Sequence, residues 1–189
     1  MSALVTLHLP PPEIFTFAST LNDFSKIKSN QKVGYLLGND AMPTMEKGRG
    51  DFLSNATEQA IQFLDKDNAG FFLMSEGSQV DWGGHQNNAS YLISELIDFD
   101  NAIGEALDYA EKDGNTLVIV TSDHETGGFT LSAKKDSGYA EIEPTFSTGG
   151  HSATLIPVFA YGPGSEEFNG VYENNLIFEK ILKVTKWNK

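Results

Sequence analysis

Apolar positions along this chain follow two alternating patterns. Short unbroken runs read as strands: Val33 to Leu37 (VGYLL), Phe71 to Met74 (FFLM), Thr116 to Thr121 (TLVIVT) and Pro157 to Tyr161 (PVFAY). Between them lie stretches with apolar residues at helical spacing. Asp51 to Asp65 carries Leu53, Ala56, Ala60 and Leu64 on one stripe. Asn88 to Lys112 places Leu92, Leu96, Ile103 and Leu107 on one face, widened by Ile93, Ile97, Phe99 and Ala110, and Asp113-Gly114-Asn115 ends it. Glu173 to Lys186 reads as a closing helix. Strands apolar on both faces, separated by amphipathic helices, predict an α/β fold: a mainly parallel sheet with helices on both faces. Phe129 to Phe146 breaks the pattern. Its middle, Lys134-Lys135-Asp136-Ser137-Gly138, is polar, and the segment reads as a hairpin or surface excursion. Residues 1–32 read as a leader and irregular segment interrupted by Pro10, Pro11 and Pro12. Residues 33–189 read as one body with no boundary inside it.

Composition narrows the function classes. The 189 residues include 26 acidic and 13 basic ones, a formal net charge of −13, which argues against a nucleic-acid binder built on clustered Lys and Arg. Hydrophobic residues at 40% support a packed core. No apolar run is long enough for a membrane span. Cys is absent, so disulfides, thiolate catalysis and Cys-type zinc sites are excluded, and a metal site would have to use His, Asp and Glu. The N-terminal residues lack the basic start of a signal peptide, and His8 is read as a tail residue.

In a sheet of this kind, functional residues gather in loops at strand ends. Three of the four histidines fall there, each flanked by glycine and close to carboxylates. Ser75-Glu76-Gly77-Ser78-Gln79-Val80-Asp81-Trp82-Gly83-Gly84-His85 follows the Phe71 strand. Thr121-Ser122-Asp123-His124-Glu125-Thr126-Gly127-Gly128 follows the Leu117 strand, and Ser147-Thr148-Gly149-Gly150-His151 precedes the Pro157 strand. Zinc takes imidazole nitrogen and carboxylate oxygen, and magnesium prefers oxygen. Asp81 and His85 are four residues apart, which suits one helical turn or a tight loop converging on one ion. The glycines at 77, 83, 84, 127, 128, 149 and 150 would let backbone approach an ion or oxyanion closely. Any one of these features alone is more often a turn, a cap or an exposed loop residue. Their conjunction at three strand ends points to a metal site.

The stretches SEGSQVDWGGH, DFDNAIGEALDYA, TLVIVTSDHETGG and TGGHSATLIPVFAYGPG resemble the C-terminal half of the alkaline phosphatase family. The resemblance runs from about Val33 to the end and is strongest from Phe71 to Gly164. It implies that residues 33–189 are the C-terminal portion of that family's α/β domain. It also implies a phosphomonoesterase with two zincs and one magnesium, acting on phosphate monoesters and releasing inorganic phosphate. By resemblance, Asp81, His85 and His151 hold the first zinc, Asp123 and His124 the second, and Glu76 the magnesium. The same resemblance implies a periplasmic or secreted homo-oligomer. The family's two zincs would hold the attacking and leaving oxygens of an in-line displacement, with a phosphoserine intermediate.

Parts of the family pattern are missing. The family's catalytic serine lies in its N-terminal half in an Asp-Ser-Ala-type motif, and that motif does not occur here. Asp136-Ser137 is followed by Gly138 inside the polar excursion. No residue of this chain is therefore assigned as the catalytic nucleophile, and the isolated chain is expected to be inactive or nearly so. The family's phosphate-binding arginine belongs to the same half, and Arg49, the chain's one arginine, does not match it. Trp82 stands where some members place Lys or His to contact phosphate. Two other readings remain: a phosphodiesterase- or sulfatase-like metalloenzyme of the same fold, and a catalytically silent metal-binding module.

Overall fold

The computed structural model describes residues 15–18, 27, 32–35, 37, 38, 40–67, 70–138 and 140–187. His8 and Pro10, Pro11 and Pro12 of the expected leader lie outside them. The elements in chain order are β1 (Phe15–Ala18), β2 (Lys32–Tyr35), α1 (Phe52–Leu64), α2 (Gln79–His85), α3 (Ala89–Asp113), β3 (Val118–Val120), β4 (Glu125–Thr126), β5 (Thr130–Ala133), β6 (Ile142–Thr145), β7 (His151–Ser152), β8 (Phe159–Tyr161) and α4 (Leu176–Thr185). The three helices expected from apolar periodicity appear within a few residues of their expected ends. The chain divides into two compact units. One comprises residues 1–83 and 88–105, the other residues 84–87 and 106–189.

The described strands do not form the expected parallel sheet. They make four two-stranded ladders. β1 and β2 run parallel, with Thr16 opposite Val33, and this pair includes a strand inside the stretch expected to be irregular. β3 pairs with β8 antiparallel, Ile119 opposite Ala160. β4–β7 and β5–β6 are antiparallel as well. The β5–β6 pair is the hairpin read from the polar excursion, and the Phe129 and Phe146 rings, 5.2 Å apart, close its base. Phe71 to Met74, expected as a strand, forms no strand and belongs to no ladder among the described residues. The difference has a physical origin. An apolar run specifies that a strand is covered, but the sense of its ladder depends on a partner far away in sequence.

In the first unit, Ile27, Val33 and Phe63 form a core against which Tyr35 and Leu64 pack. α1 buries Leu53, Ala60, Ile61 and Phe63. On α3, the buried positions are Tyr91, Leu92, Glu95, Asp98 and Ala102, whereas Leu96 and Ile97 are exposed. The helix thus buries a face carrying two carboxylates instead of the full apolar stripe. Arg49 explains why. Its Nη2 donates to Asp98 Oδ2 at 2.8 Å and also to Glu95, while Nη1 donates to the Pro43 carbonyl at 3.1 Å. The second Glu95 oxygen accepts from the Met45 backbone N–H at 2.9 Å. Burial disfavours the charged guanidinium, but the hydrogen bonds and charges of Glu95 and Asp98 outweigh it and hold the Arg49 pKa above its ordinary value. This arginine therefore serves the fold of its own unit.

In the second unit, Gly162 follows β8 at a backbone φ of +100°, and a Cβ there would sit 2.2 Å from the Thr116 carbonyl oxygen. Only glycine fits that approach beside the β3–β8 pair. α4 is tied to the turn before it by Lys180 Nζ, which donates to the Glu167 carbonyl at 2.6 Å, and by a Lys183–Glu167 ion pair. Among the described residues, no helix is long and apolar enough to cross a membrane.

Candidate metal centre

α2 delivers two of the sequence-predicted residues. Asp81 lies in its first turn, half-buried, and His85 is its last residue, exposed. Spacing of four places both on one helical face. The local sequence builds this helix around Gln79, which is buried: Nε2 donates to the Met42 carbonyl at 2.9 Å, and Oε1 accepts from the Tyr91 hydroxyl at 2.7 Å. The two glycines of α2 allow close chain packing. A Cβ at Gly83 would lie 2.6 Å from the Leu92 backbone nitrogen, and one at Gly84 would lie 2.8 Å from the Thr126 carbonyl oxygen. The expectation that these glycines bring backbone to an ion is thus met by a different use, backbone against backbone. Gly83→Ala is expected to lower stability by about 1–3 kcal/mol through overpacking against an immovable main chain. The midpoint of urea unfolding measures it.

Glu76 is exposed in the loop before α2. It borders a cavity of about 40 Å³, with Arg49 and Glu95 also in its wall. That space is large enough for a water.

The second unit brings four of the predicted residues together. Asp123 and His124 occupy the loop between β3 and β4, and His151 opens β7. The Nε2 atoms of His85 and His151 are 3.2 Å apart. Oδ2 of Asp123 lies 3.3 Å from Nε2 of His124. The His124 and His151 rings stack with centroids 3.5 Å apart and planes 18° from parallel, which sets the two donor pairs side by side.

Hydrogen bonds choose the ring nitrogens. Nδ1 of His85 faces the Gly149 carbonyl oxygen at 2.8 Å. A carbonyl only accepts, so the proton sits on Nδ1 and Nε2 keeps its lone pair. Nδ1 of His124 meets the Thr126 hydroxyl at 3.2 Å, which again turns Nε2 outward. A second partner on one nitrogen is how proteins orient an imidazole for metal binding through the other.

These separations test what ion would fit. Two ligands at zinc bond lengths of about 2.0–2.1 Å, at a tetrahedral angle, lie about 3.3–3.4 Å apart. Adjacent ligands in an octahedral magnesium shell with similar bonds lie about 2.9 Å apart. The separations of 3.2 and 3.3 Å lie near the tetrahedral edge. Nitrogen donors also favour zinc over magnesium. The donor set fits zinc at both pairs.

Glu125 went unremarked in the sequence, although it is a carboxylate beside His124 in a glycine-flanked loop. Burial alone would raise its pKa. The Ser152 hydroxyl, the backbone N–H groups of Phe129 and Gly128, and the charge of His124 together hold it below the usual carboxylate range.

The family model described as alkaline phosphatase matches residues 15–145 of this chain. Alkaline phosphatase 3 of Bacillus subtilis is 29% identical over an alignment covering 92% of this chain and 53% of that protein, so the chain spans about half the relative's length. The alkaline phosphatase of Escherichia coli K12 is 32% identical over 74% of this chain and 31% of its own. The solved structure of alkaline phosphatase from the Antarctic bacterium TAB5 superposes with a TM-score of 0.88 at 73% identity, covering 93% of this chain and 53% of that one. A mutant of the same enzyme, solved with magnesium bound in its M3 site, gives 0.87 over the same shares. The long stretches around the three histidines, the donor geometry and these matches have one common source, and the chain belongs to the alkaline phosphatase family.

Proposed function

We propose that this chain is the metal-binding C-terminal half of a phosphate monoester hydrolase. The observation that carries the reading is the pair of donor edges at 3.2 and 3.3 Å, set side by side by the stacked His124 and His151 rings. In this reading His85 and His151 hold one zinc together with Asp81, which lies one turn before His85 on the same helix. Asp123 and His124 hold a second, and Glu76 binds magnesium, an ion bound in the M3 site of a mutant of the TAB5 relative. Zinc so bound would act as a Lewis acid and lower the pKa of a bound water toward neutrality.

The chain's own residues prepare that chemistry. The Gly149 carbonyl keeps the His85 proton on Nδ1, so Nε2 is available without a proton to displace. The Thr126 hydroxyl, which can donate or accept, holds the His124 ring by Nδ1 and leaves Nε2 facing Asp123. The Asp123 carboxylate is exposed, so it can reorient to meet an ion at little cost. His151, after Gly149 and Gly150, pairs with His85 and stacks on His124, so it belongs to one donor pair and touches the other. Phosphate monoesters are the substrates and inorganic phosphate the product. The parent enzyme is periplasmic or secreted and works as a homo-oligomer, and Trp82 leaves phosphate without the cation some members supply.

The chain carries no Asp-Ser-Ala motif, and its Arg49 is engaged by Glu95 and Asp98. Positioning of nucleophile and substrate contributes several kcal/mol to such reactions, so the metal-loaded chain alone is expected to hydrolyse a chromogenic phosphate monoester negligibly. Fused to the serine-bearing N-terminal half of a family member, it is expected to turn over, and Asp123→Ala should abolish that activity. A folded, zinc-loaded fusion without turnover would count against the phosphatase reading. Robust metal-dependent turnover by the chain alone would count against the missing nucleophile.

A further inference from the structure

The His124 and His151 loops meet along β4–β7, a ladder of two residue pairs, Glu125 opposite Ser152 and Thr126 opposite His151. So short a ladder does not hold its own register in water. Something else must keep the two imidazoles stacked. The Glu125 carboxylate gathers three donors. Oε1 accepts from the Phe129 N–H at 3.0 Å, and Oε2 accepts from the Gly128 N–H at 3.1 Å and from the Ser152 hydroxyl. Two of these close the turn that follows His124, and the third crosses to the residue after His151. The turn itself is anchored to the same partner segment: the Gly127 N–H donates to the Gly150 carbonyl at 2.9 Å, and the Gly127 carbonyl accepts from Ser147 and Thr148. Gly128 is at φ +57°, a left-handed conformation that favours glycine, and a Cβ there would fall 1.9 Å from the Ser147 hydroxyl oxygen.

We propose that Glu125 is a positioning residue that locks the His124 loop to the His151 strand and so sets the spacing of the zinc donors. This rests on the reading of His85, His124 and His151 as zinc ligands. Glu125 is acceptor-only and bonded by three donors, and charge-assisted bonds of this kind are roughly twice as strong as neutral ones. Their joint effect falls on the neighbours of two ligands at once. An outer partner of this kind is worth about 10- to 100-fold in metal affinity.

The experiment uses the full chain. Zinc affinity is measured by calorimetry, and the absorption spectrum of the cobalt(II)-loaded protein reports coordination geometry. Glu125→Ala is expected to lose about 10- to 100-fold in zinc affinity and to replace the intense tetrahedral cobalt bands by weak six-coordinate ones. Glu125→Gln keeps an acceptor for the backbone donors and should recover much of both signals. Ser152→Ala removes one donor of three and should give a smaller loss; it decides the matter if Glu125→Ala does not fold. Wild-type affinity and an unchanged cobalt spectrum in Glu125→Ala and Ser152→Ala would overturn the positioning role while leaving the ligand assignment standing. Absent zinc binding by the unaltered chain, or full binding in a chain lacking His151, would instead overturn the ligand reading and this inference with it.

Discussion

The His151→Ala chain is expected to bind zinc about 100-fold or more weakly than the unaltered one, a larger loss than an outer-shell change produces. His151 holds a central place. Its Nε2 faces that of His85 at 3.2 Å, and its ring stacks on that of His124. Truncation removes one donor of the first pair and the surface against which the second pair is ordered. Calorimetry near neutral pH, with circular dichroism to verify folding, measures the effect. Because zinc competes with protons for ring nitrogen, affinity in the unaltered chain should fall as the solution is acidified. Binding in His151→Ala equal to that of the unaltered chain would refute the assignment. His8, in the leader, serves as the control: His8→Ala should leave zinc binding unchanged.

Arg49→Ala is expected to cost about 3–5 kcal/mol of stability. The estimate follows from what remains. Asp98 is 1% and Glu95 3% exposed, and without the guanidinium two neighbouring carboxylates stay buried with no cation. Their desolvation is then uncompensated, and their mutual repulsion adds to it. Arg49→Lys should recover part of the loss only. An ammonium is a compact point charge and cannot reproduce the fork that reaches Glu95, Asp98 and the Pro43 carbonyl together. The triple variant Arg49→Met, Glu95→Gln, Asp98→Asn should lie well above the single alanine variant, because it leaves no buried charge to solvate. Urea unfolding followed by near-ultraviolet circular dichroism tests all three. A change below about 1 kcal/mol in Arg49→Ala would place the cluster among the weak surface pairs.

Arg49 also shows how far local pattern carries. The Lys47-Gly48-Arg49-Gly50 segment identifies an arginine outside the family's phosphate-binding position, and that much is visible in the chain. That it neutralises two carboxylates some 46 and 49 positions away is not. The apolar count on α3 therefore predicted a stripe through Leu96, whereas burial follows Tyr91, Glu95, Asp98 and Ala102.

Local order was within reach of the sequence alone. α1, α3 and α4 follow from local pattern, the β5–β6 hairpin from its polar middle, and a candidate metal site from histidines and carboxylates gathered in glycine-flanked loops, with the six-ligand set implied by the family resemblance. These signals are encoded over a few residues, so they survive without knowledge of any distant partner. Tertiary structure decided the rest. It made β3 antiparallel to β8 instead of the centre of a parallel sheet. It selected Nε2 on His85 through the Gly149 carbonyl and oriented the His124 ring through Thr126. It turned Glu125 from an anonymous neighbour into the tie between two loops. Each of these depends on which groups meet across tens of residues, and hydrogen bonds and ion pairs exist only where the folded chain brings a donor to its acceptor.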